Sequence, residues 1–332
     1  MKITIKDIAR MAEVSTATVS KVINKKDKNI SEATRQRILD IVDEYNYVPN
    51  RVASSMITKK THSIGLVIPD IANPFFPELA RGVEDIANKY GYHLILCNSD
   101  NDVKKEESYI GMLLEKMVDG IILTSSSRRM GDSINLSKLT VPLITVDRDI
   151  EGAKINGKIT VDNCSGAFDA VTYMLEKGYK KILHLGGPIT SGPSRDRYKG
   201  YLEAYKAKGQ SISDDYYVHG YYSSEWGYDG IKKVLASGLE FDAVFCGNDL
   251  IALGAMKALR EAKLKIPEDI AVVGFDDIYM TTMVEPQLTT VHQPNYQMGF
   301  KAAQMLIDII EEKVVKHKEE ILKTKLIIRE ST

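Results

Sequence analysis

Residues 4–24 of the sequence read TIKDIARMAEVSTATVSKVIN, and their apolar spacing predicts two short helices. Thr4 is a candidate N-cap with Asp7 three residues later, and apolar residues then recur at helical spacing. A short interruption follows, after which either Ser15 or Thr16 can cap the second helix. The buried side of the second helix is predicted to carry Val19, Val22 and Ile23.

A third helix is predicted to begin after Ser31, which is its candidate N-cap. Its apolar residues at i, i+3, i+4 and i+7 are Ile38, Ile41, Val42 and Tyr45. Three short helices at the start of the chain, the first two closely joined, form the outline of a helix-turn-helix domain.

The second helix is predicted to present small polar residues and one cation to the outside. These are Thr16, Ala17, Thr18, Ser20 and Lys21. Short polar side chains with a cation suit a helix that enters the major groove of DNA and reaches base edges. The same residues also fit a solvated helix face, so the residues alone leave both interpretations open.

Charge divides the chain close to residue 60. The length of 332 residues suggests two or three domains, and the net charge of the whole chain is −1. Residues 1–60 have a balance of +5, however, and residues 61–332 have a balance of −6. A basic first part and an acidic remainder indicate two parts with different partners.

The acidic body alternates between predicted strands and helices from Ser63 onward. Its first apolar run, at 64–69, is continuous, as a strand buried on both faces requires. The pattern at 118–122 returns at 241–245, and the pattern at 141–147 returns at 270–276. Two related alternating halves predict two doubly wound α/β subdomains with parallel sheets.

Polar and aromatic side chains follow these predicted strands, at the sheet edge where ligands bind in such folds. In the first half they are Asp70, Asn73, Phe75, Phe76, Asp147 and Arg148. In the second half they are Arg195, Arg197, Tyr222, Trp226, Asn248, Asp249, Phe275, Asp276, Asp277 and Gln293.

The chemistry of this set favours a free sugar as ligand. Carboxylate, amide and guanidinium groups bind hydroxyls, while aromatic faces cover C–H surface. Asp147 and Asp276 balance Arg148 and Arg197, so a closed cleft built from them is neutral. A phosphorylated ligand would leave charge unpaired in such a cleft, whereas a neutral polyol would not.

Each of these residues also has an interpretation without a ligand. Phe75 and Phe76 fit a hydrophobic core, and the loop Asp and Arg residues fit surface ion pairs. Asn248-Asp249 fits a helix cap, for which Asp249 is the expected residue. Their shared placement at strand ends in both halves favours the binding interpretation.

Enzyme and carrier functions are less well supported by the sequence. It contains no nucleotide-binding glycine motif, no His-Glu-x-x-His zinc motif and no catalytic constellation, so we expect neither catalysis nor a metal. A sugar carrier would share the body, but the N-terminus lacks the apolar region of a signal peptide. Three scattered cysteines (Cys97, Cys164 and Cys246) suit no disulfide framework, so we expect reduced thiols in a cytoplasmic protein without membrane contact.

The first fifty residues resemble the headpiece of the lactose/galactose repressor (LacI/GalR) family of transcriptional regulators. The matching segments are Thr4–Ala9, Val14-Ser15, Thr18–Asn24 and Tyr47–Asn50. The resemblance implies that Thr16, Ala17 and Lys21 read bases, while Thr18 and Ser20 hold phosphates. It also implies that residues 50–60 are a hinge helix, with Met56 as the apolar side chain that wedges into the minor groove. The full DNA-binding set that we expect is Thr4, Thr16, Ala17, Thr18, Ser20, Lys21, Asn24, Tyr47, Asn50 and Met56.

The resemblance extends over the body, which is similar to the ribose repressors of this family and to periplasmic ribose-binding proteins. It implies that Phe75, Phe76 and Tyr222 enclose a pyranose. The hydroxyl-binding and neighbouring residues that it implies are Asn73, Asp147, Arg148, Arg197, Asn248, Phe275, Asp276 and Gln293. Trp226 has no matching role, and the loop before Arg197 varies too much in the family to assign Arg195.

We therefore expect an α/β body of the type I periplasmic-binding-protein fold behind an all-α helix-turn-helix headpiece. The expected divisions are a headpiece at 1–49, a hinge at 50–60, a first subdomain at about 61–160 and 293–320, and a second at about 161–292 and 321–332. The expected function is a homodimeric regulator, most simply a repressor, that binds an inverted-repeat operator. A sugar effector, ribose first, is expected to close the cleft and release DNA, with no cofactor; another sugar, a nucleobase or a partner protein is the alternative.

Overall fold

The computed structural model describes residues 3–48, 60–126, 136, 139–148, 150, 154–315 and 317–332. They belong to two compact units, Met1–Thr61 and His62–Thr332. The predicted contacts of Asn50 and Met56, and the hinge helix to which Met56 belongs, lie outside the described residues. Within the described part of the chain, no helix combines the length and hydrophobicity needed to cross a bilayer.

The first unit contains the three predicted helices: α1 (Ile5–Met11), α2 (Thr16–Ile23) and α3 (Glu32–Glu44). Side-chain oxygens cap all three, because Thr4, Ser15 and Ser31 each accept a hydrogen bond from a backbone N–H in the first turn. At α1 the Asp7 carboxylate also accepts from the Thr4 backbone N–H at 3.1 Å, which completes a capping box. The helix-turn-helix prediction is confirmed, and Ser15 rather than Thr16 caps α2.

A small apolar core holds these helices together. Its fully or nearly fully buried members are Ile8, Ala9, Ala12, Val19, Val22 and Ile38. Ile41 and Val42 pack against it from α3, but the expectation for Tyr45 is wrong, since its side chain is 46% exposed. Tyr45 is the C-cap residue of α3, where the helix ends and its periodicity no longer directs a side chain inward.

The first sheet of the second unit has six parallel strands. They are β1 (Ser63–Ile68), β2 (His93–Asn98), β3 (Gly120–Leu123), β4 (Leu143–Val146), β5 (Gly157–Val161) and β11 (Glu319–Leu322), in the order β11-β5-β4-β3-β1-β2. Helices α4 (Phe75–Lys89) and α10 (Asn295–Ile310) cover one face, and α5 (Val103–Glu115) covers the other. Burial on both faces explains why β1 is a continuous apolar run.

The second sheet repeats this arrangement. Its strands are β6 (Ile182–Gly186), β7 (Tyr217–His219), β8 (Ala243–Cys246), β9 (Ala271–Asp276), β10 (Thr289–His292) and β12 (Lys325–Ile327), in the order β12-β10-β9-β8-β6-β7. Only the pairing of β12 with β10 is antiparallel among these described strands. Helices α6 (Asn163–Glu176) and α7 (Gly192–Ala207) cover one face, while α8 (Ser224–Ser237) and α9 (Asp249–Glu261) cover the other.

The predicted internal repeat is confirmed by equivalent positions in the two sheets. Strands β3 and β8 each occupy the place next to the first strand of their half. An aspartate precedes each of them and accepts backbone N–H groups: Asp119 from His62 at 2.7 Å, and Asp242 from Lys180 at 2.7 Å. The same local contact therefore fixes the start of the parallel pairing in both halves.

The chain crosses between the two sheets three times. It crosses after Val161, again after His292, and finally between Leu322 and Lys325. The expected boundary at 320/321 therefore falls inside β11, because this strand continues its pairing with β5 up to Leu322. All three cysteines are free, with Cys97 and Cys246 buried.

Candidate functional site

A cleft lies at the carboxyl ends of strands from both sheets, and it has about 270 Å³ of space when the part open to solvent is included. Its lining brings together ten of the eleven residues that the sequence predicts. The lining residues are Asn73, Phe75, Phe76, Asp147, Arg148, Pro193, Arg197, Tyr222, Asn248, Asp276 and Gln293. Segments from all over the body thus converge at one site, as expected for a doubly wound fold.

One wall of the cleft is formed by the segment after β1. The Asn73 side chain accepts a hydrogen bond from the Phe75 backbone N–H at 3.1 Å, which shapes the turn into α4. Phe75 and Phe76 then meet edge to face, with ring centroids 4.9 Å apart. Both rings are buried in the core of the first sheet and also line the cleft, so the core and ligand interpretations are compatible.

Asp147 and Arg148 follow β4 and are both buried. The Arg148 guanidinium donates to the backbone carbonyl of Ser125 at 3.0 Å, and its Nε lies 3.5 Å from the Asp147 carboxylate. Its central carbon is also 5.8 Å from the Phe76 ring centroid and 5.6 Å from that of Tyr222. Burial raises the pKa of Asp147, and the positive charges of Arg148 and Arg197 oppose this rise.

Arg197 is the corresponding cation of the second half. Its Nε donates to Asn163 Oδ1 at 2.9 Å, and its Nη1 donates to the carbonyl of Gly247 and lies 3.7 Å from the Asp276 carboxylate. The guanidinium stacks 3.7 Å from the ring centroid of Phe275. A buried arginine held by two acceptors and an aromatic face has a fixed orientation.

The prediction that Phe275 contributes to the lining is wrong. Phe275 is fully buried among α6, α7 and β9, and it supports Arg197 from behind. The reason is the alternation of side chains along a strand, which sends Phe275 and Asp276 to opposite faces of β9.

Asp276 is the second cleft carboxylate, and it accepts a hydrogen bond from Gln293 Nε2 at 2.6 Å. Burial raises the pKa of Asp276 to about 7, and the nearby Asp147 adds to the rise, while Arg197 and the Gln293 hydrogen bond oppose it. Asp147 and Asp276 both have a positive φ, of 65° and 116°. Such backbone strain at two equivalent strand ends is typical of binding sites.

Asn248 lines the cleft and also caps α9, since its Oδ1 accepts from the Ile251 backbone N–H at 2.9 Å. The expectation that Asp249 is the cap is therefore wrong. Asp249 is the first residue of α9, and its buried carboxylate accepts from Thr290 Oγ1 at 2.5 Å and from the Ile278 backbone N–H at 2.9 Å. Because these distant donors bind the Asp249 carboxylate, it does not cap the backbone N–H groups at the start of α9.

Sequence reasoning missed two residues of the site. Pro193 lines the cleft at the start of α7, and Asn163 orients Arg197. Pro193 lies in the Gly/Pro/Ser loop that precedes Arg197 in the sequence, but an apolar ring carries no binding signature. Arg195, to which the sequence assigns no role, donates to the carbonyls of Ile189 and Thr190 and is outside the lining.

The residues predicted to lie on the outer side of α2 are exposed or half-buried in the first unit. Thr16, Ala17, Lys21 and Asn24 are exposed, and Thr18, Ser20 and Tyr47 are half-buried. Some of these polar groups also have partners within the unit: Thr18 Oγ1 lies 2.9 Å from Ser15 Oγ, and the Asn24 amide donates to the Ser20 carbonyl at 2.8 Å. Thr4 belongs to the capping box of α1. Their roles toward DNA stay predictions.

Comparison with known proteins identifies both units. A model of periplasmic binding proteins and the sugar-binding domain of the LacI family matches residues 61–330, and the model of lacI-family bacterial regulatory proteins matches residues 4–50. The chain belongs to the lacI family. It is similar to a ribose operon repressor from Halalkalibacterium halodurans, at 39% identity over 99% of this chain and 97% of the relative.

Two solved structures extend this finding. The lac repressor dimer bound to operator and the anti-inducer ONPF aligns with a TM-score of 0.87 at 25% identity, over 100% of this lacI-family chain and 99% of that one. A LacI-family transcriptional regulator from Enterococcus faecium with bound ribose aligns with a TM-score of 0.72 at 31% identity, over 81% of this chain and 98% of that one.

Proposed function

We propose that this lacI-family protein is a transcriptional repressor whose affinity for operator DNA is controlled by a free sugar, with ribose as the first candidate. The observation that carries the proposal is the buried cleft, in which two carboxylates face two guanidinium groups. A ribose operon repressor among the relatives and a ribose-bound family structure support the choice of sugar.

The cleft has the groups that a pyranose requires. Asn73, Asn248 and Gln293 offer amide groups, and Gln293 Oε1 is buried without a hydrogen-bond partner among the described residues. An unpartnered buried acceptor is costly, so a hydroxyl donor at this point would stabilise the site. Phe76 and Tyr222 offer the aromatic faces that cover sugar C–H groups.

Charge narrows the ligand class further. When both carboxylates are ionised, Asp147, Arg148, Arg197 and Asp276 sum to zero. A phosphate group would bring uncompensated negative charge into this buried site, so we infer that the effector is unphosphorylated.

The headpiece supplies the chemistry for reading DNA. The exposed Thr16, Ala17 and Lys21 side chains suit base edges in the major groove, and the half-buried Thr18 and Ser20 hydroxyls suit phosphates. We propose that two copies of the chain bind an inverted repeat, since a dimer presents two headpieces with matching symmetry. The operator-bound dimer of the lac repressor supports this arrangement.

Calorimetric titration of the full chain tests the effector. Ribose, other pentoses, hexoses and ribose 5-phosphate are titrated separately, and we expect heat with ribose and none with the phosphorylated form. Heat with a different free sugar alone would correct the choice of ribose. Heat with ribose 5-phosphate alone, or with no sugar at all, would refute the effector class.

Operator binding is tested with DNA selected from random duplexes by the purified protein. We expect ribose to lower the affinity of the wild-type chain for this DNA. Asp276→Ala is expected to keep DNA affinity and lose the response to ribose, because it removes a cleft acceptor and no headpiece group. Asp229→Ala, at an exposed position on α8, is the matched control and should behave like the wild type. Loss of DNA affinity in Asp276→Ala alone would refute the cleft assignment.

A further inference from the structure

Trp226 is the one tryptophan of the chain, and it lies outside the lining of the cleft. It belongs to the first turn of α8, where its backbone N–H donates to the Ser223 cap at 3.2 Å. Its indole is half-buried and packs against the apolar core between the second sheet and α8 and α9. Packing alone, however, does not account for its polar contact.

The indole Nε1 donates a hydrogen bond to the backbone carbonyl of Gly186 at 3.2 Å. Gly186 is the last residue of β6, and the same carbonyl also accepts from the Gly220 backbone N–H at 3.1 Å. The indole therefore joins the start of α8 to the end of β6, across the segment that follows β7.

Close packing on Gly220 fixes the position of the indole. A Cβ added at Gly220 would lie 2.3 Å from the fused ring of Trp226, so the ring lies directly against the backbone there. Only a residue without a side chain permits this approach. The segment 220–223 is thus held between the end of β6 and the Trp226 ring.

Tyr222 lies within this held segment and lines the cleft. Its ring packs on Gly187, where an added Cβ would lie 2.4 Å from the ring carbon Cζ. On its cleft side the ring lies 5.6 Å from the Arg148 guanidinium, which also lies 5.8 Å from Phe76. The position of the Tyr222 ring therefore depends on the Gly186-Gly187 backbone that Trp226 holds.

We propose that Trp226 is a positioning residue for sugar recognition, which holds Tyr222 in place as the aromatic wall opposite Phe76. The inference rests on the proposed function, since it assigns Tyr222 to the sugar. Trp226 makes no contact with the ligand and acts through segment 220–223. The wall then selects ligands with a flat C–H face, as pyranoses have.

A double-mutant cycle on ribose affinity tests this role. Trp226→Phe keeps a ring but removes the N–H donor, and we expect about fivefold weaker ribose binding from the lost hydrogen bond. In a Tyr222→Ala background the same substitution is expected to have no further effect, because the group that Trp226 positions is gone. In a Phe76→Ala background, where the opposite wall is removed, the full fivefold effect should remain.

Two results of the cycle would overturn the inference. One is a Trp226→Phe effect of equal size in the Tyr222→Ala background, which would mean that Trp226 acts on the whole subdomain. The other is unchanged ribose affinity in Trp226→Phe itself. Thermal unfolding and operator affinity of each variant are measured alongside; Trp226→Phe should unfold at a slightly lower temperature from the lost hydrogen bond, stay folded under the assay conditions and keep the operator affinity of the wild type.

Hydrogen exchange separates failure of this inference from failure of the proposed function. If the wild-type chain binds no ribose, the proposed effector is wrong. Hydrogen exchange of the ligand-free protein then still tests whether Trp226 positions segment 220–223. Faster amide exchange at 220–223 in Trp226→Phe than in the wild-type chain supports this role, because the indole would no longer hold the Gly186 carbonyl that accepts from the Gly220 N–H. Unchanged exchange there overturns it.

Discussion

Ribose binding is expected to release protons near neutral pH, because the cleft contains a carboxyl group that burial keeps partly protonated. The pKa of Asp276 is raised to about 7 in the unliganded cleft, chiefly by burial. A sugar hydroxyl that donates to this carboxylate stabilises the ionised form and lowers its pKa. Binding and proton release are therefore linked.

The magnitude follows from the fraction of Asp276 that is ionised before binding. With a pKa of about 7, this fraction is about one tenth at pH 6 and about nine tenths at pH 8. Ribose affinity should therefore rise about tenfold from pH 6 to pH 8, with about half a proton released per sugar at pH 7. Burial and the charge of Asp276 also raise the pKa of the buried Asp249 carboxyl well above its usual value, and the two groups titrate together, so the midpoint belongs to this pair.

Calorimetry in buffers of different ionisation enthalpy measures both the affinity and the protons released. Asp276→Asn is expected to bind ribose more weakly, with an affinity that no longer changes over this pH range. Asp229→Asn, at an exposed position on α8, should keep the wild-type profile. His292→Gln is a second control, because His292 Nδ1 lies 3.0 Å from the Asp277 carboxylate beside Asp276. Tight wild-type binding with no pH dependence, or a tenfold change that persists in Asp276→Asn, would refute the reasoning.

Three further outcomes are expected. Gly187→Ala should weaken ribose binding about tenfold or more, because the added Cβ displaces the Tyr222 ring. Calorimetry measures the ribose affinity, and an unchanged operator affinity of the sugar-free protein is the control. Lys21→Ala should reduce operator affinity by about 1–3 kcal/mol without changing ribose binding, as measured by DNA fluorescence anisotropy; equal losses on selected and random DNA would contradict base reading. The sugar-free body should lose stability as pH rises toward and through 7, since a carboxyl with a raised folded-state pKa stabilises the fold most fully below its ordinary pKa near 4. Thermal unfolding at pH 5 and pH 8 tests this, and a wild-type difference no larger than that of Asp276→Asn would count against it.

Much of the cleft can be predicted because strand ends in parallel sheets are marked in the sequence. Asp147 and Asp276 end equivalent apolar runs, and this repetition by itself indicates one shared site. The prediction for Phe275 is wrong because the same argument identifies a strand end without deciding the face on which each side chain lies. Pro193 and Asn163 escape prediction because their contribution depends on where α6 and α7 place them.

The choice between adjacent cap residues shows a second limit. Asn248 and Asp249 are both good N-caps by local preference. Asp249 is excluded from this role by its hydrogen bonds with Thr290 and Ile278, which are 41 and 29 residues away. Local rules correctly predict the caps of α1 and α3, where no distant donor competes for the side chain.

The three crossings between the sheets restrict how the cleft can open. They lie side by side, because Leu322 pairs with Val161 in the first sheet and Lys325 pairs with His292 in the second. Bending all three crossings together breaks no strand pairing, so we expect the cleft to open mainly by a hinge motion. Ligands of different shape are then expected to differ chiefly in how far they bend the body.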